Sequence, residues 1–67
     1  MLKKTFLIET ELYNCICIEE SIKSFEWFKI TFLDSKLTIE GDNEDDIDLI
    51  FNEFMNFVLA LQSEYQK

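Results

Sequence analysis

Residues 27–40 read WFKITFLDSKLTIE, and this stretch decides the fold class. Two segments of alternating residues, 27–33 and 36–40, flank the dipeptide Asp34-Ser35. A period of two is typical of half-buried strands, and aspartate and serine favour tight turns. The stretch therefore predicts a β-hairpin. Its inward residues are predicted to be Phe28, Ile30, Phe32, Leu37 and Ile39, and its outward residues Trp27, Lys29, Thr31 and Leu33.

Upstream of the hairpin, residues 5–12 also alternate and predict a first strand, with Phe6 and Ile8 on one side. Asn14 is a good N-cap, so a helix is expected from about Cys15 to Phe25. The β-rich run 15–18 leaves open the alternative that the first strand continues through it. The apolar face of this helix is predicted to contain Cys15, Ile18, Ile22 and Phe25.

Downstream, apolar residues recur at helical spacing with no proline or glycine between them, which predicts a helix of about five turns. They are Ile47, Phe51, Phe54, Val58, Leu61 and Tyr65. Acidic residues crowd the first turn, where the helix dipole favours them. The whole chain, residues 1–67, is therefore expected to form a single α+β domain in the order β-α-β-β-α. We expect a three-stranded antiparallel sheet packed with two helices, the C-terminal one long.

Composition excludes several functional classes. The 67 residues carry six lysines and 14 acids, a net charge of −8, with no histidine, no arginine and one glycine. Without histidine there is no ordinary general base near neutral pH, so we expect no enzyme, no catalytic residue and no cofactor. The charge opposes direct binding of nucleic acid or of an anionic membrane. No apolar run is long enough to span a bilayer or to serve as a signal peptide, which predicts a cytoplasmic protein.

The two cysteines, Cys15 and Cys17, are too few for a metal site, and no metal is expected. They are interpreted as small apolar residues in or beside the core, with a metal-sharing or redox role as the lesser alternative.

The second helix has more apolar surface than one small core requires, which indicates a protein partner, either a second copy or a larger enzyme. The alternative is that both helices pack on one face of the sheet and share these residues. The apolar candidates for partner binding are Trp27, Leu49, Ile50, Met55, Phe57 and Leu59.

An acidic patch precedes and opens the second helix. It consists of Asp42, Glu44, Asp45, Asp46 and Asp48. Such a run usually stabilises the helix start, but it also fits a docking surface for a basic partner, such as the nucleic-acid channel of a nuclease.

Two segments resemble the HxsD-like proteins of the His-Xaa-Ser system. The run of residues 12–18, LYNCICI, with Ile22 and Phe25 behind it, is similar to the opening motif of that family. Residues 51–61 are similar to its later helix, with matches at Glu53, Phe54, Asn56, Val58 and Leu59. Asn56 is the polar match and joins the partner-binding candidates.

The resemblance implies a non-catalytic accessory protein encoded beside a radical SAM enzyme that modifies ribosomally made peptides. Such a protein would bind the maturase, its precursor peptide, or both, through the second helix and an edge strand. The alternative is a small acidic inhibitor from a phage or other mobile element, of the anti-CRISPR or nucleic-acid-mimic type, that blocks a nuclease.

Overall fold

The computed structural model describes residues 2–65 and has the predicted order β-α-β-β-α. Its elements are β1 (Leu2–Leu7), α1 (Cys15–Ser24), β2 (Lys29–Leu33), β3 (Lys36–Gly41) and α2 (Glu44–Tyr65). The sheet is antiparallel with strand order β1-β3-β2, so β3 is central. Because β1 and β2 both run antiparallel to β3, they are parallel to each other and form a split β-α-β unit.

The predicted hairpin is confirmed, and its turn is the two-residue loop Asp34-Ser35. Its first strand begins at Lys29 and not at residue 27, so Phe28, which was predicted to point inward, precedes the strand and is 43% exposed. The two residues have φ angles of 51° and 65°. Positive φ at both positions is the mark of a type I′ turn, whose twist matches that of the flanking strands. Leu33 pairs with Lys36 directly beside the turn. Leu37 and Ile39 are fully buried, as predicted.

Replacing Ser35 with glycine is expected to stabilise the protein by roughly 0.5–1 kcal/mol. Serine at positive φ is strained by its Cβ, whereas glycine is not, although glycine loses more chain entropy on folding. The carbonyl of Ser35 accepts a bond from the Ile8 N–H at 2.8 Å, and this main-chain contact survives the change. Urea unfolding measures the gain. The control Ser63→Gly, at an exposed helical position, should destabilise. A loss of stability in the Ser35 variant would contradict the assignment of turn strain.

The position of β1 corrects the predicted strand of residues 5–12. The strand begins at Leu2 and ends at Leu7, where Leu7 pairs with Lys36. Beyond Lys36 the partner strand gives way to the hairpin turn, so the ladder has no further residues to pair. Ile8 is buried just after the strand, but residues 10–13 form a turn.

The first helix confirms the helical prediction for residues 15–18 and shows that the strand alternative is wrong. The Asn14 side chain accepts a bond from the Ile16 N–H at 2.8 Å and caps the helix, as predicted. The predicted apolar face is partly wrong, because Cys15 is exposed while Cys17 is fully buried. Two residues apart on a helix, the cysteines point about 200° apart, so only one can face the core.

One core joins the inner face of the sheet to both helices. It contains Ile8, Cys17, Ile18, Ile30, Leu37, Ile39, Ile47, Phe54 and Val58. Alternate sheet residues such as Thr5, Thr31 and Leu33 lie on the opposite face and are exposed. The domain thus has two layers, with both helices on one face of the sheet.

The length of α2 sets the shape of the molecule, whose longest extent is 39 Å. Its 22 residues span about 33 Å, whereas a six-residue strand spans about 20 Å. The helix therefore extends past the sheet, and its C-terminal half packs on α1. Two contacts hold its first half to β1: the rings of Phe6 and Phe51 stack with centroids 3.8 Å apart, and Lys4 Nζ donates to Asp48 at 2.8 Å.

Candidate functional site

A groove of about 470 Å³ lies between the α1–β2 turn, the end of β3 and the first half of α2. We call it the Trp27 groove. Its lining residues are Trp27, Phe28, Lys29, Glu40, Gly41, Asp42, Asp46, Leu49, Ile50 and Glu53. The size falls within the range of about 300–1,000 Å³ that is typical of ligand pockets. It brings together three of the predicted apolar partner-binding residues and two residues of the predicted acidic patch.

Trp27 forms one wall of the groove with its side chain 87% exposed. It points outward, as predicted, but it precedes β2, so its predicted place within the first hairpin strand is wrong. The residue lies in the turn after α1, where the N–H of Phe28 donates to the carbonyl of Phe25 at 3.0 Å. Across the groove, Leu49 is 59% exposed. Two large apolar side chains that are this exposed, on one groove of so small a protein, are typical of a surface that contacts a partner.

Gly41 allows the end of β3 to approach α2 closely. A Cβ atom built there would stand 2.8 Å from Cγ1 of Ile47, which is buried. Any larger residue would push the start of α2 away from the sheet. The only glycine of the chain therefore shapes the groove through this close approach.

The charge of the groove is strongly negative. Four carboxylates line it, Glu40, Asp42, Asp46 and Glu53, against one lysine, for a net charge of −3. Nζ of Lys29 lies 4.0 Å from Oε2 of Glu40. The backbone N–H of Asp46 donates to Oδ1 of Asn43 at 2.9 Å, which caps α2. Within residues 2–65, Asp42 and Glu53 form no ion pair.

The remaining predicted partner-binding residues lie outside the groove. Met55 is half-buried against the core, and the Phe57 ring meets that of Phe25 edge-on with centroids 5.7 Å apart. Asn56 is exposed and Leu59 is 47% exposed. Part of the apolar surplus of α2 is thus shared with the rest of the fold, as the alternative interpretation expected.

Sequence reasoning missed Phe28, Lys29, Glu40, Gly41 and Glu53 as groove residues. The position of Glu53 could have been predicted from helical spacing. It follows Asp46 by seven positions and Leu49 by four, which places all three on one side of α2. The contributions of β2 and β3 depend on how the helix packs on the sheet, which local spacing does not encode.

The other acidic-patch residues are divided between solvent and an internal ion pair. Glu44 and Asp45 are exposed outside the groove. Asp48 is half-buried and accepts a bond from Lys4. This bond raises the pKa of the Lys4 ammonium. Asp48 therefore stabilises the junction of α2 with β1.

A second, more polar cavity of about 410 Å³ lies at the other end of the molecule, beside Asn14 and Cys15. Gln62 is nearly buried there, which sequence reasoning also missed. Its Oε1 accepts a bond from the Asn14 N–H at 2.6 Å, and its Nε2 donates to the carbonyl of Leu12 at 3.2 Å. Nearby, the hydroxyl of Tyr65 donates to the Glu20 carboxylate at 3.0 Å. These bonds fasten the overhanging end of α2 to the turn and to α1.

Stability is expected to fall as the pH rises above about 10. The Glu20 carboxylate raises the pKa of Tyr65 above its ordinary 10.0, and Asp48 raises that of Lys4 above 10.5. Because the folded state holds both protons more tightly, their contributions are complete below those values and are lost as the pH passes the raised ones. Urea unfolding at a series of pH values measures the slope. Tyr65→Phe and Glu20→Gln should both flatten it, and an unchanged slope in both variants would contradict the Tyr65 assignment.

Comparisons with known proteins leave the family open, since no family model, curated protein or solved structure matches the chain. The resemblance to the HxsD-like proteins therefore stays a prediction. Of the helices in the described part of the chain, none has the length and apolar character needed to cross a membrane. Within residues 2–65, no three cysteine, aspartate or glutamate side chains are arranged to hold a metal ion.

Proposed function

We propose that the protein is a non-catalytic accessory protein that binds a partner enzyme or its precursor peptide in radical SAM-dependent peptide maturation. The observation that carries the binding role is the Trp27 groove, a concave surface lined by both a tryptophan that is 87% exposed and Leu49, which is 59% exposed. Tryptophan is among the residues that dominate interface energies when a partner covers them. The class of partner comes from the resemblance to the HxsD-like proteins, and the cytoplasm is the proposed location.

An adaptor fits the charges of the acidic patch better than a nucleic-acid mimic does. A mimic requires carboxylates that stand free for a basic channel, in place of phosphates. Here Asp48 bonds to Lys4, and Asp46 shares two hydrogen bonds with Asn43 in the cap of α2. Both acids have local roles in folding, which leaves fewer carboxylates for mimicry.

The proposal is tested by co-expressing the tagged protein with the radical SAM maturase and the precursor peptide encoded beside it. We expect a complex with at least one of them to co-purify and to give saturable binding by calorimetry. If neither binds at micromolar concentration, the adaptor proposal is wrong. A nuclease that binds instead, and is inhibited, would favour the acidic inhibitor.

A further inference from the structure

We infer that the Trp27 groove binds an arginine side chain from a basic segment of the partner, an inference that rests on the adaptor proposal. The groove combines three features that a guanidinium requires together: an exposed aromatic face, apolar walls and free carboxylates. Trp27 supplies the first, and Leu49 and Ile50 supply the second. Asp42 and Glu53 supply the third.

The apolar walls select a long side chain with a charged end. Arginine and lysine lay their aliphatic stems along apolar surface while the charged group stays near water. In the groove such a stem would lie against Leu49 and Ile50, and the cation would reach the indole of Trp27. Tryptophan is the best aromatic partner for a cation, and a planar guanidinium also stacks on it.

The carboxylates favour arginine over lysine and over a neutral side chain. A guanidinium donates two parallel hydrogen bonds to one carboxylate, whereas an ammonium acts as a point charge. Asp42 and Glu53 enter the groove from different parts of the fold, Asp42 directly after β3 and Glu53 on α2. A cation between them would offset part of the net charge of −3.

The distribution of lysines also favours a basic partner at the Trp27 groove. Lys3, Lys29 and Lys36 lie on the outer face of the sheet, the face away from the helices. Lys3 and Lys29 are the neighbours of Glu40 on the two adjacent strands. Of the lysines within residues 2–65, Lys29 alone lines the groove, and its Nζ lies 4.0 Å from Oε2 of Glu40. The chain therefore presents its acidic side at the groove, and this side would attract a basic segment at long range.

The experiment uses the synthetic peptide acetyl-Gly-Ser-Leu-Arg-Leu-Arg-Leu-Ser-Gly-amide, with matched peptides that carry citrulline or lysine at both arginines. Trp27 is the only tryptophan of the chain, so its fluorescence reports directly on the groove. We expect a saturable blue shift with the arginine peptide. The citrulline peptide should bind at least about tenfold more weakly, because a charged hydrogen bond is lost. The lysine peptide should bind several-fold more weakly.

Matched carboxylate variants locate the binding site. Glu53→Gln should weaken the arginine peptide by roughly tenfold. Glu64→Gln removes the same charge from an exposed position outside the groove, about three turns further along α2, and should change binding by less than about twofold, the effect of a screened distant charge. Equal losses of affinity in both variants would mean that the peptide responds only to the overall negative charge of the protein, and this result would overturn the inference. Equal binding of the citrulline or lysine peptide would overturn the choice of arginine.

The two proposals fail separately. If the arginine peptide binds the groove but neither the maturase nor its precursor binds the protein, the inference stands and the adaptor proposal fails. If the maturase binds wild type and Glu53→Gln equally and the arginine peptide does not bind, the adaptor proposal stands and the inference fails.

Discussion

Replacing Phe54 with alanine is expected to leave the protein largely unfolded at 25 °C. The Phe54 side chain is fully buried, and its ring meets that of Phe25 edge-on with centroids 5.5 Å apart. Removing a buried phenylalanine costs about 3–5 kcal/mol, through lost burial and the cavity that remains. A domain of this size is expected to have only about 3–5 kcal/mol of net stability. The loss is therefore comparable to the whole.

Far-ultraviolet circular dichroism with urea titration measures this effect. The wild type should unfold cooperatively, and the Phe54 variant should show little helical signal before urea is added. Leu59→Ala is the matched control, because it truncates a large apolar side chain on the same helix that is 47% exposed. The control should change stability by less than about 0.5–1 kcal/mol. A cooperative transition in the Phe54 variant, with a loss under about 1 kcal/mol, would contradict its central place in the core.

The fold could be predicted from the local hydrophobic pattern wherever that pattern fits only one kind of secondary structure. The hairpin follows from alternation on either side of Asp34-Ser35, and α2 follows from a long uninterrupted apolar stripe. The limits of β1 could not be predicted this way. Its alternation continues past Leu7, but β3 begins at Lys36, so the strand ends for lack of a partner. The length of a strand therefore depends on its partner strand as well as on its own sequence.

The face of α1 was ambiguous for a different reason. Cys15 and Cys17 are equally small and apolar, and each fits one helical stripe. In the structure α1 packs on the sheet with Cys17 facing inward, and Cys17, Ile18 and Ser21 are the buried residues of this helix. The hydroxyl of Ser21 donates to the carbonyl of Cys17 at 2.7 Å, so a buried serine fits without an unsatisfied bond. No pattern of apolar residues would have identified that serine as buried.

The groove could be predicted only in part. An excess of apolar residues on α2, together with Trp27, predicted a contact surface, and both features can be read from composition and spacing. Which of them converge depends on the α1–β2 turn and on the close approach at Gly41. Leu49 and Ile50 line the groove together with Trp27, whereas Leu59, about three turns further along α2, does not.

Replacing Trp27 with alanine is expected to weaken binding of the maturase or precursor peptide by about thirtyfold or more while leaving the fold intact. A central tryptophan in an interface commonly contributes at least about 2 kcal/mol, which is about thirtyfold in affinity. Because the side chain is 87% exposed in the free protein, truncating it removes little that stabilises folding. The two effects separate a contact residue from a structural one.

Calorimetry with the co-purifying partner measures affinity, since the variant lacks the fluorophore, and thermal unfolding measures stability. Leu33→Ala is the control, because Leu33 is also large, apolar and 74% exposed but lies at the far end of β2, outside the groove. It should bind within about twofold of wild type, as most surface truncations do. Trp27→Phe should recover part of the affinity, because phenylalanine keeps an aromatic face for a cation. If Trp27→Ala and Leu33→Ala lose affinity equally, the partner covers apolar surface in general and the groove is not its anchor.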